Sequence, residues 1–181
     1  MTDPHPPDST PPAPTTPGTT TPGAPVTYEP YDRGPHGNGP ALVVEDVYRE
    51  FGFTWEPHGY HFDVLHPETA YAPPDHFFDV AVKDGEVVGT VGGEIRDGVA
   101  ELKRLYLRSR LRGQGIGRGL LGRFLAWARS RGATRAILWS DKRFTDAHRL
   151  YAGAGFRVMG DRICPGDPDH SEEWGETLDL A

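Results

Sequence analysis

A change of hydrophobic period across a glycine-rich loop is the feature that most limits what this chain can fold into. Residues 99–107 follow a turn and are rich in apolar side chains, which is typical of a β-strand. Over residues 116–128 the apolar side chains recur on one helix face, and Gly132 follows as a helix stop. The loop between them contains three glycines at alternate positions, Gly113, Gly115 and Gly117. The sequence therefore predicts a strand, a tight loop and a long helix in succession.

The other segments predict strands and helices that complete one sheet. Residues 77–83 and 86–95 flank Asp84-Gly85, a strong hairpin signal, and a second turn leads into residues 99–107. The further predicted elements are a strand at 26–31, a helix at 41–51, a strand at 136–139, a helix at 145–154 and closing strands at 156–159 and 176–180. This order predicts an α/β or α+β fold, with a twisted, mostly antiparallel mixed sheet flanked by helices.

The first 25 residues differ in composition from the rest. They are Pro, Thr and small polar residues without periodicity, so residues 1–25 are predicted to be a disordered tail before a single domain at 26–181. No run of about 18 apolar residues and no signal-peptide pattern is present. The single cysteine, Cys164, cannot form an internal disulfide. We therefore expect a cytoplasmic protein that does not bind a membrane.

Charge is segregated along the chain. The net charge is −7, which argues against nucleic acid as the main partner. Ten Lys or Arg residues and no acid lie between residues 102 and 140, whereas seven acids and one Arg lie between 161 and 181. The pattern predicts an anion-binding side and a cation-attracting side; the alternative is that both are ordinary solvated surface.

The glycine loop has the properties of an anion site. A helix N-terminus presents unpaired N–H groups and partial positive charge, and glycines let an anion approach them closely. Arg110, Arg112 and Arg118 add charge, so a pyrophosphate is the predicted ligand. No Gly-Lys-Ser/Thr follows, which excludes a nucleotide P-loop. A dinucleotide-like string at 117–122 falls inside the predicted helix and is interpreted as chance.

Two motifs resemble those of a known family. Arg112-x-x-Gly115-x-Gly117 resembles the acyl-CoA signature of the GNAT superfamily of N-acetyltransferases, and residues 150–156 resemble its late Leu-Tyr-x-x-x-Gly-Phe segment. The similarity covers roughly residues 26–181. The segments at 101–106 and 139–144 look like those of a bacterial subgroup of uncertain substrate.

The resemblance implies an acetyl-CoA-dependent enzyme and gives roles to particular residues. Tyr151 would protonate the departing thiolate, and Glu101 would be the general base, directly or through water. Core packing for Tyr151 and a surface role for Glu101 are the alternatives. The residues that would bind the co-substrate lie at the strand end and in the loop: Leu105, Tyr106, Leu107, Arg112, Gly113, Gln114, Gly115, Ile116, Gly117 and Arg118. Phe144 departs from the family, which often has Asn there, so a contact through Asp141 or Thr145 is an alternative.

The segment from 58 to 76 is rich in histidine and aromatic residues. The histidines His58, His61, His66 and His76 have no firm metal-site spacing, so we expect no metal. The resemblance to the GNAT superfamily implies that this segment is the variable acceptor-binding region. Four aromatic residues are candidates to wall the acceptor pocket, with ordinary core packing as the alternative for each: Trp55, Tyr60, Phe62 and Trp174.

The sequence as a whole predicts transfer of an acetyl group from acetyl-CoA to a primary amine of a small molecule or peptide. The alternatives are a non-catalytic acyl-CoA sensor and a nucleic-acid-binding module. We expect a cationic acceptor because five acids come from segments predicted to edge the opening: Asp141, Asp146, Glu172, Glu173 and Glu176. The acceptor's identity and the oligomeric state, for which a homodimer is one option, are left open.

Overall fold

The computed structural model describes residues 24–180. Most of the predicted tail, residues 1–25, lies outside this range, and its disorder stays a prediction. The strands are β1 Thr27–Pro30, β2 His76–Lys83, β3 Glu86–Arg96, β4 Val99–Leu107, β5 Arg135–Asp141, β6 Arg157–Ile163 and β7 Glu172–Asp179. The helices are α1 Arg33–His36, α2 Gly39–Phe51, α3 Phe62–Leu65, α4 Pro67–Ala70, α5 Ile116–Ser130 and α6 Thr145–Gly153.

The seven strands form one mixed sheet in the order β1-β2-β3-β4-β5-β7-β6. Every neighbouring pair is antiparallel except β4 and β5, which run parallel. Their parallel register ends at Leu102 opposite Leu138, although β4 continues to Leu107 and β5 to Asp141. The two central strands therefore part at their carboxyl ends, and the predicted mixed, mostly antiparallel fold is confirmed.

Both predicted hairpin turns have the backbone that their sequences require. Asp84-Gly85 joins β2 to β3 with φ of 52° and 80°, and Asp97-Gly98 joins β3 to β4 with φ of 51° and 75°. Two successive residues with positive φ match the right-handed twist of the flanking strands. The three-stranded meander is therefore specified locally.

Helix α5 packs its apolar face against the meander. Leu120 and Phe124 are fully buried, and a Cβ on Gly93 would collide with the Phe124 ring. Gly119 allows a similarly close approach to Tyr28 of β1. The dinucleotide-like string therefore lies within this helix, and its Gly119 serves packing rather than nucleotide binding.

The structure differs from the sequence prediction mainly around α3, α4 and the last hairpin. Strands β6 and β7 are longer than predicted. Helices α3 and α4 have four residues each, which is too short to show a helical period. Helix α3 is held by packing around Tyr48, whose ring contacts His61 with centroids 4.3 Å apart, and Ala70 of α4 packs against the cluster that contains Tyr71 and Phe78. None of the helices in residues 24–180 has both the length and the hydropathy needed to cross a bilayer.

Candidate active site

A cavity of about 560 Å³ opens where β4 and β5 part. Its walls come from the end of β4, the glycine loop (residues 112–118), α2, α6 and the β6–β7 connection. The gap between the strands exposes backbone edges that a continuous sheet would have paired. One cavity thus joins the predicted co-substrate site to the predicted acceptor side.

The glycine loop is shaped to receive an anion. Gly113 and Gly115 have φ of 76° and 81°, in the left-handed region that side chains rarely adopt. A Cβ on either residue would meet no other atom within 4 Å, so the space beside the backbone is open. Gly115 is the N-cap of α5 and no side chain caps it, which leaves the first N–H groups of the helix for a ligand.

The three arginines around the loop are not equivalent. Arg112 donates two hydrogen bonds to Glu50 of α2, at 2.6 and 2.7 Å, and Arg110 pairs with Glu86 at 2.9 Å. Arg118 has no acidic partner within residues 24–180. A guanidinium that is already paired with a carboxylate attracts a further anion less strongly. Arg118 is therefore the arginine of the loop that is most available to an anionic ligand.

The structure brings most of the predicted co-substrate residues to the cavity. Two do not line it: Gln114 is exposed, and Ile116 is 3% exposed and belongs to the hydrophobic core. The predicted residues that line the cavity are Leu105, Tyr106, Leu107, Arg112, Gly113, Gly115, Gly117 and Arg118.

A β-bulge interrupts β4 beside the cavity. Thr90 pairs with Tyr106 and Gly92 with Lys103, so two residues of β4, Arg104 and Leu105, oppose the single Val91 of β3. The register with β5 has already ended at Leu102. Leu105 therefore has no strand partner on either side, and its backbone is available to a ligand in the cavity.

Tyr151 lines the cavity from α6 and is 4% exposed. Burial raises the pKa of its phenol above the ordinary value, with smaller contributions from Tyr106 and Glu176 in the same direction. The hydroxyl is therefore protonated throughout the neutral range. A protonated phenol at this place can donate a proton to a leaving group.

Glu101 lies in β4 but does not line the cavity. Its carboxylate is 3.9 Å from the Lys103 ammonium. Burial raises the pKa of the Glu101 carboxyl, and Lys103 opposes the rise. The structure does not bring Glu101 to the cavity wall, so direct contact with an acceptor is not available to it here.

Phe144 gives the cavity an aromatic wall where the family often has Asn. Its ring packs edge-on against Phe51, with centroids 4.8 Å apart, and against Phe53 at 5.5 Å. Asp141 and Thr145, the predicted polar replacements, both line the cavity. The Asp141 carboxylate already accepts hydrogen bonds from Arg143, which leaves Thr145 as the freer of the two.

The far end of the cavity, called here the acceptor end, is formed by residues that the sequence analysis largely missed. They are Tyr60, Arg143, Cys164, Asp167 and Ser171. The Tyr60 hydroxyl lies 3.1 Å from Cys164 Sγ, and burial raises the pKa of that thiol to about 11. Only the aromatic and histidine content of residues 58–76 gave a signal for this region, and it concerned Tyr60 alone.

Asp167 differs from the other acids of the cavity wall. It is 5% exposed and accepts a hydrogen bond from the Ser171 N–H at 2.8 Å. Within residues 24–180 no cation lies in ion-pair range of its carboxylate. A buried carboxylate without a counter-ion is costly, so its free oxygen favours a cationic or hydrogen-bond-donating ligand.

Four of the five acids predicted to edge the opening are ion-paired with Lys or Arg, and the fifth, Glu176, contacts the His148 ring. Their partners are Arg143 for Asp141, Arg149 for Asp146, Lys142 for Glu172, Arg162 for Glu173 and His148 for Glu176. Each contact is 2.9 Å or shorter. An acid that is already paired adds little to a long-range attractive field.

The histidine-rich segment is scattered rather than clustered. His61 is fully buried, and burial lowers the pKa of its ring to about 4. His66 lies beside Arg33 and His76 beside Glu94, while His58 is exposed. No group of three or more His, Cys, Asp or Glu residues that could hold a metal ion occurs in the described part of the chain. Of the four aromatic candidates, Tyr60 lines the cavity, whereas Trp55, Phe62 and Trp174 do not.

Comparisons with known proteins agree with this architecture. An acetyltransferase from Streptococcus agalactiae superposes with a TM-score of 0.74 at 21% identity, over 86% of this chain and 98% of that one. The ribosomal-protein-S18-alanine N-acetyltransferase of Escherichia coli gives a TM-score of 0.64 at 16% identity, over 86% and 94%. At these identities the likeness concerns the fold alone.

Sequence relatives are more similar over a shorter span. The N-acetylaspartate synthetase of Rattus norvegicus is 38% identical over 124 residues, which is 67% of this chain and 40% of the relative. An uncharacterized N-acetyltransferase of Mycobacterium tuberculosis is 37% identical over 101 residues, 54% of this chain and 64% of that protein. The chain thus spans about two fifths of the synthetase. The profile of the Acetyltransferase (GNAT) family matches residues 42–156, and the chain therefore belongs to that family.

Proposed function

We propose that this protein transfers the acetyl group of acetyl-CoA to a primary amine of a small molecule or peptide by direct attack. The observation that carries the proposal is a single cavity that contains the glycine loop, the β4 bulge and the Tyr151 phenol. Anion binding, carbonyl polarisation and proton donation are thereby available along one continuous wall.

The proposed binding mode assigns one task to each part of the wall. Backbone N–H groups of residues 113–117 and the Arg118 guanidinium hold the pyrophosphate. Leu105 to Leu107 offer backbone groups to the pantetheine arm, and the Leu105 N–H polarises the thioester carbonyl. The open space beside Gly113 and Gly115 supports the first assignment, and the unpaired place of Leu105 in the sheet supports the second.

The proposed chemistry needs a proton removed and a proton supplied. The amine nitrogen attacks the thioester carbonyl carbon, the carbon–sulfur bond breaks, and Tyr151 gives its proton to the departing sulfur. The amine's own proton passes to a base; Glu101 takes this part through water, since it does not line the cavity. The raised pKa of the Glu101 carboxyl supports a role as proton acceptor.

We further propose an amino-acid-like acceptor with both ammonium and carboxylate groups. The ion-paired acids around the opening weaken the argument for a purely cationic acceptor. Asp167 and Arg143 line the same cavity. Arg143 is paired with Asp141 through Nε and Nη2, but its Nη1 has no hydrogen-bond partner within residues 24–180 and can donate to an acceptor carboxylate. The name of the synthetase relatives supports aspartate as the first acceptor to try.

The test is CoA release from acetyl-CoA with a panel of acceptors: L-aspartate, neutral amino acids, spermidine, glucosamine and a short peptide. We expect turnover with at least one amino acid and less with spermidine. CoA binding without turnover on any acceptor would favour the sensor. Salt-dependent binding to random duplex DNA would favour a nucleic-acid function. Cytoplasmic location and a homodimer stay predictions.

A further inference from the structure

Arg104 has a backbone conformation that its residue type disfavours. Its φ is 51°, and it lies inside β4. The other described non-glycine residues with positive φ are Asp84 and Asp97 in hairpin turns and His170 in a loop. Left-handed backbone costs an L-residue roughly 1–2 kcal/mol, so something else must hold Arg104 at this place in the bulge.

The side chain of Arg104 is fixed by contacts with Asp63 of α3 and with Tyr60, a residue of the acceptor end. Its Nε donates to Asp63 Oδ2 at 2.8 Å, and its Nη2 donates to the Tyr60 carbonyl at 2.9 Å. The guanidinium also stacks on the Tyr60 ring, 5.0 Å from its centroid. Tyr71 donates its hydroxyl to the same Asp63 oxygen at 2.6 Å. The bulge is therefore connected to α3, about forty positions earlier in the chain.

A second contact holds the same residue from the opposite strand. The fully buried Thr90 hydroxyl donates to the Arg104 carbonyl at 2.7 Å. Backbone and side chain of Arg104 are thus each held by a different element. The next residue is Leu105, which lines the cavity and has no strand partner.

Stability alone does not explain this arrangement. A buried ion pair often contributes no more to stability than apolar residues of similar volume would. Glycine at 104 would also relieve the positive φ. What the Asp63–Arg104 pair does provide is a fixed position for the bulge relative to the acceptor end, because Tyr60 both contacts Arg104 and lines the cavity.

We infer that Arg104 is a positioning residue: paired with Asp63 and Tyr60, it sets the bulge so that the Leu105 N–H meets the thioester carbonyl. This inference rests on the proposed function. If so, Tyr60 and Asp63 on the acceptor side of the cavity also help to polarise the thioester carbonyl of the acetyl donor. Arg104 lines the cavity itself, so direct binding of the acceptor is the competing role that the experiment must separate.

The first experiment compares Arg104→Gly with Asp97→Gly, whose parent residue has the same φ of 51° in a turn outside the cavity. Both changes relieve backbone strain, but only the first removes the link to Asp63. We expect Arg104→Gly to lower kcat about 100-fold, because small misplacements of reacting groups cost about that much. The Kd for CoA should stay within about twofold of the parent. CoA lacks the thioester carbonyl, and a displaced bulge does not change the glycine loop that binds the pyrophosphate.

Two further variants guard against misfolding and against a purely structural effect. Arg104→Lys keeps a cation for Asp63 and should recover part of kcat, while Asp63→Asn should lower kcat without changing CoA affinity. Combined with Arg104→Gly, Asp63→Asn should add little further loss, because the two residues act as a pair. An unchanged kcat in Arg104→Gly, or a raised KM for the amine at unchanged kcat, would overturn the positioning role.

Amide hydrogen exchange tests the same inference without an acceptor. Lys103 and Tyr106, which pair with Gly92 and Thr90 on either side of the bulge, should exchange faster in Arg104→Gly and in Asp63→Asn than in the parent, with α5 unchanged. If the parent transfers acetyl to no amine, the proposed function fails while the exchange result still decides whether Arg104 holds the bulge. Unchanged exchange at both amides would contradict the inference on its own.

Discussion

The glycine loop and the acceptor end of the cavity are built in opposite ways. The loop is seven consecutive residues whose shape follows from local backbone rules: positive φ at glycines and a helix start at Ile116. The acceptor end is assembled from side chains more than 100 positions apart, such as Tyr60 and Asp167. The loop could therefore be predicted from the sequence, and the acceptor end could not.

The same contrast appears in the charges. Eight of the ten basic residues between 102 and 140 are ion-paired with acids, most of them distant in sequence. Arg118 and Arg129 are the two without such a partner in the described part of the chain. Segregated charge in the sequence thus becomes largely compensated charge in the fold. The four predictions below test whether the two ends of the cavity also act separately.

Tyr151 lines the cavity from α6, and its loss should have the largest effect. Tyr151→Phe keeps the ring and removes the proton donor, so turnover should fall about 100-fold with unchanged CoA affinity. Tyr31→Phe, which removes a hydroxyl bonded to the Gly37 carbonyl outside the cavity, is the matched control. Steady-state kinetics with calorimetric CoA binding decide the matter, and full activity would reduce Tyr151 to a packing residue.

Gly115→Val should affect only the loop end. The side chain would be strained at φ 81° and would fill the open space beside the backbone N–H groups. We expect CoA affinity to fall at least about tenfold, since roughly 1.4 kcal/mol of lost binding has that effect. Gly132→Val is the control, because Gly132 has φ 75° and similar open space at the other end of α5. Equal CoA affinity in the two variants would contradict the assignment of the anion site to the loop.

Asp167→Asn should affect only the acceptor end. Removing the unpaired buried charge should raise the KM for the amine about tenfold, as the loss of a charge-assisted hydrogen bond of roughly 1.4 kcal/mol would. The Kd for CoA should not change. Asp161→Asn removes an exposed acid from the same hairpin, where it pairs with Lys142, and should leave KM as it was. A KM that moves equally in both variants would point to general electrostatics instead.

Arg118→Ala should give the smallest effect. As an exposed cation at the loop, Arg118 should contribute roughly threefold to CoA affinity at low salt and less at high salt. Arg129→Ala is the control, because it removes an arginine at the opposite end of α5 that has no acidic partner within residues 24–180. The Kd for CoA, measured for both variants at two ionic strengths, distinguishes a local contact from a general one. If both variants lose the same affinity at low salt, α5 attracts CoA through its overall charge.

Local rules made much of the fold predictable from the sequence. Asp-Gly turns, alternating strands and the apolar face of α5 gave the meander, the long helix and the mixed sheet. Helices α3 and α4 were missed because four residues show no period. The position of α3 depends on packing around Tyr48, and that of α4 on packing beside Tyr71 and Phe78. Of the predicted site residues, the end of β4, most of the loop and Tyr151 line the cavity, whereas Gln114, Ile116 and Glu101 do not, and the roles given to all of them stay predictions.

The sequence by itself determined the strand–loop–helix unit, the two hairpin turns and the family signature, because each depends on residues within a few positions of one another. Only the tertiary structure decided which arginine at the loop remains uncompensated, where the strands part, and that Arg104 reaches Asp63. Those outcomes depend on which distant side chains meet when the sheet and helices pack. No spacing along the chain encodes that choice directly, since an ion pair forms with whichever acid the fold brings within reach.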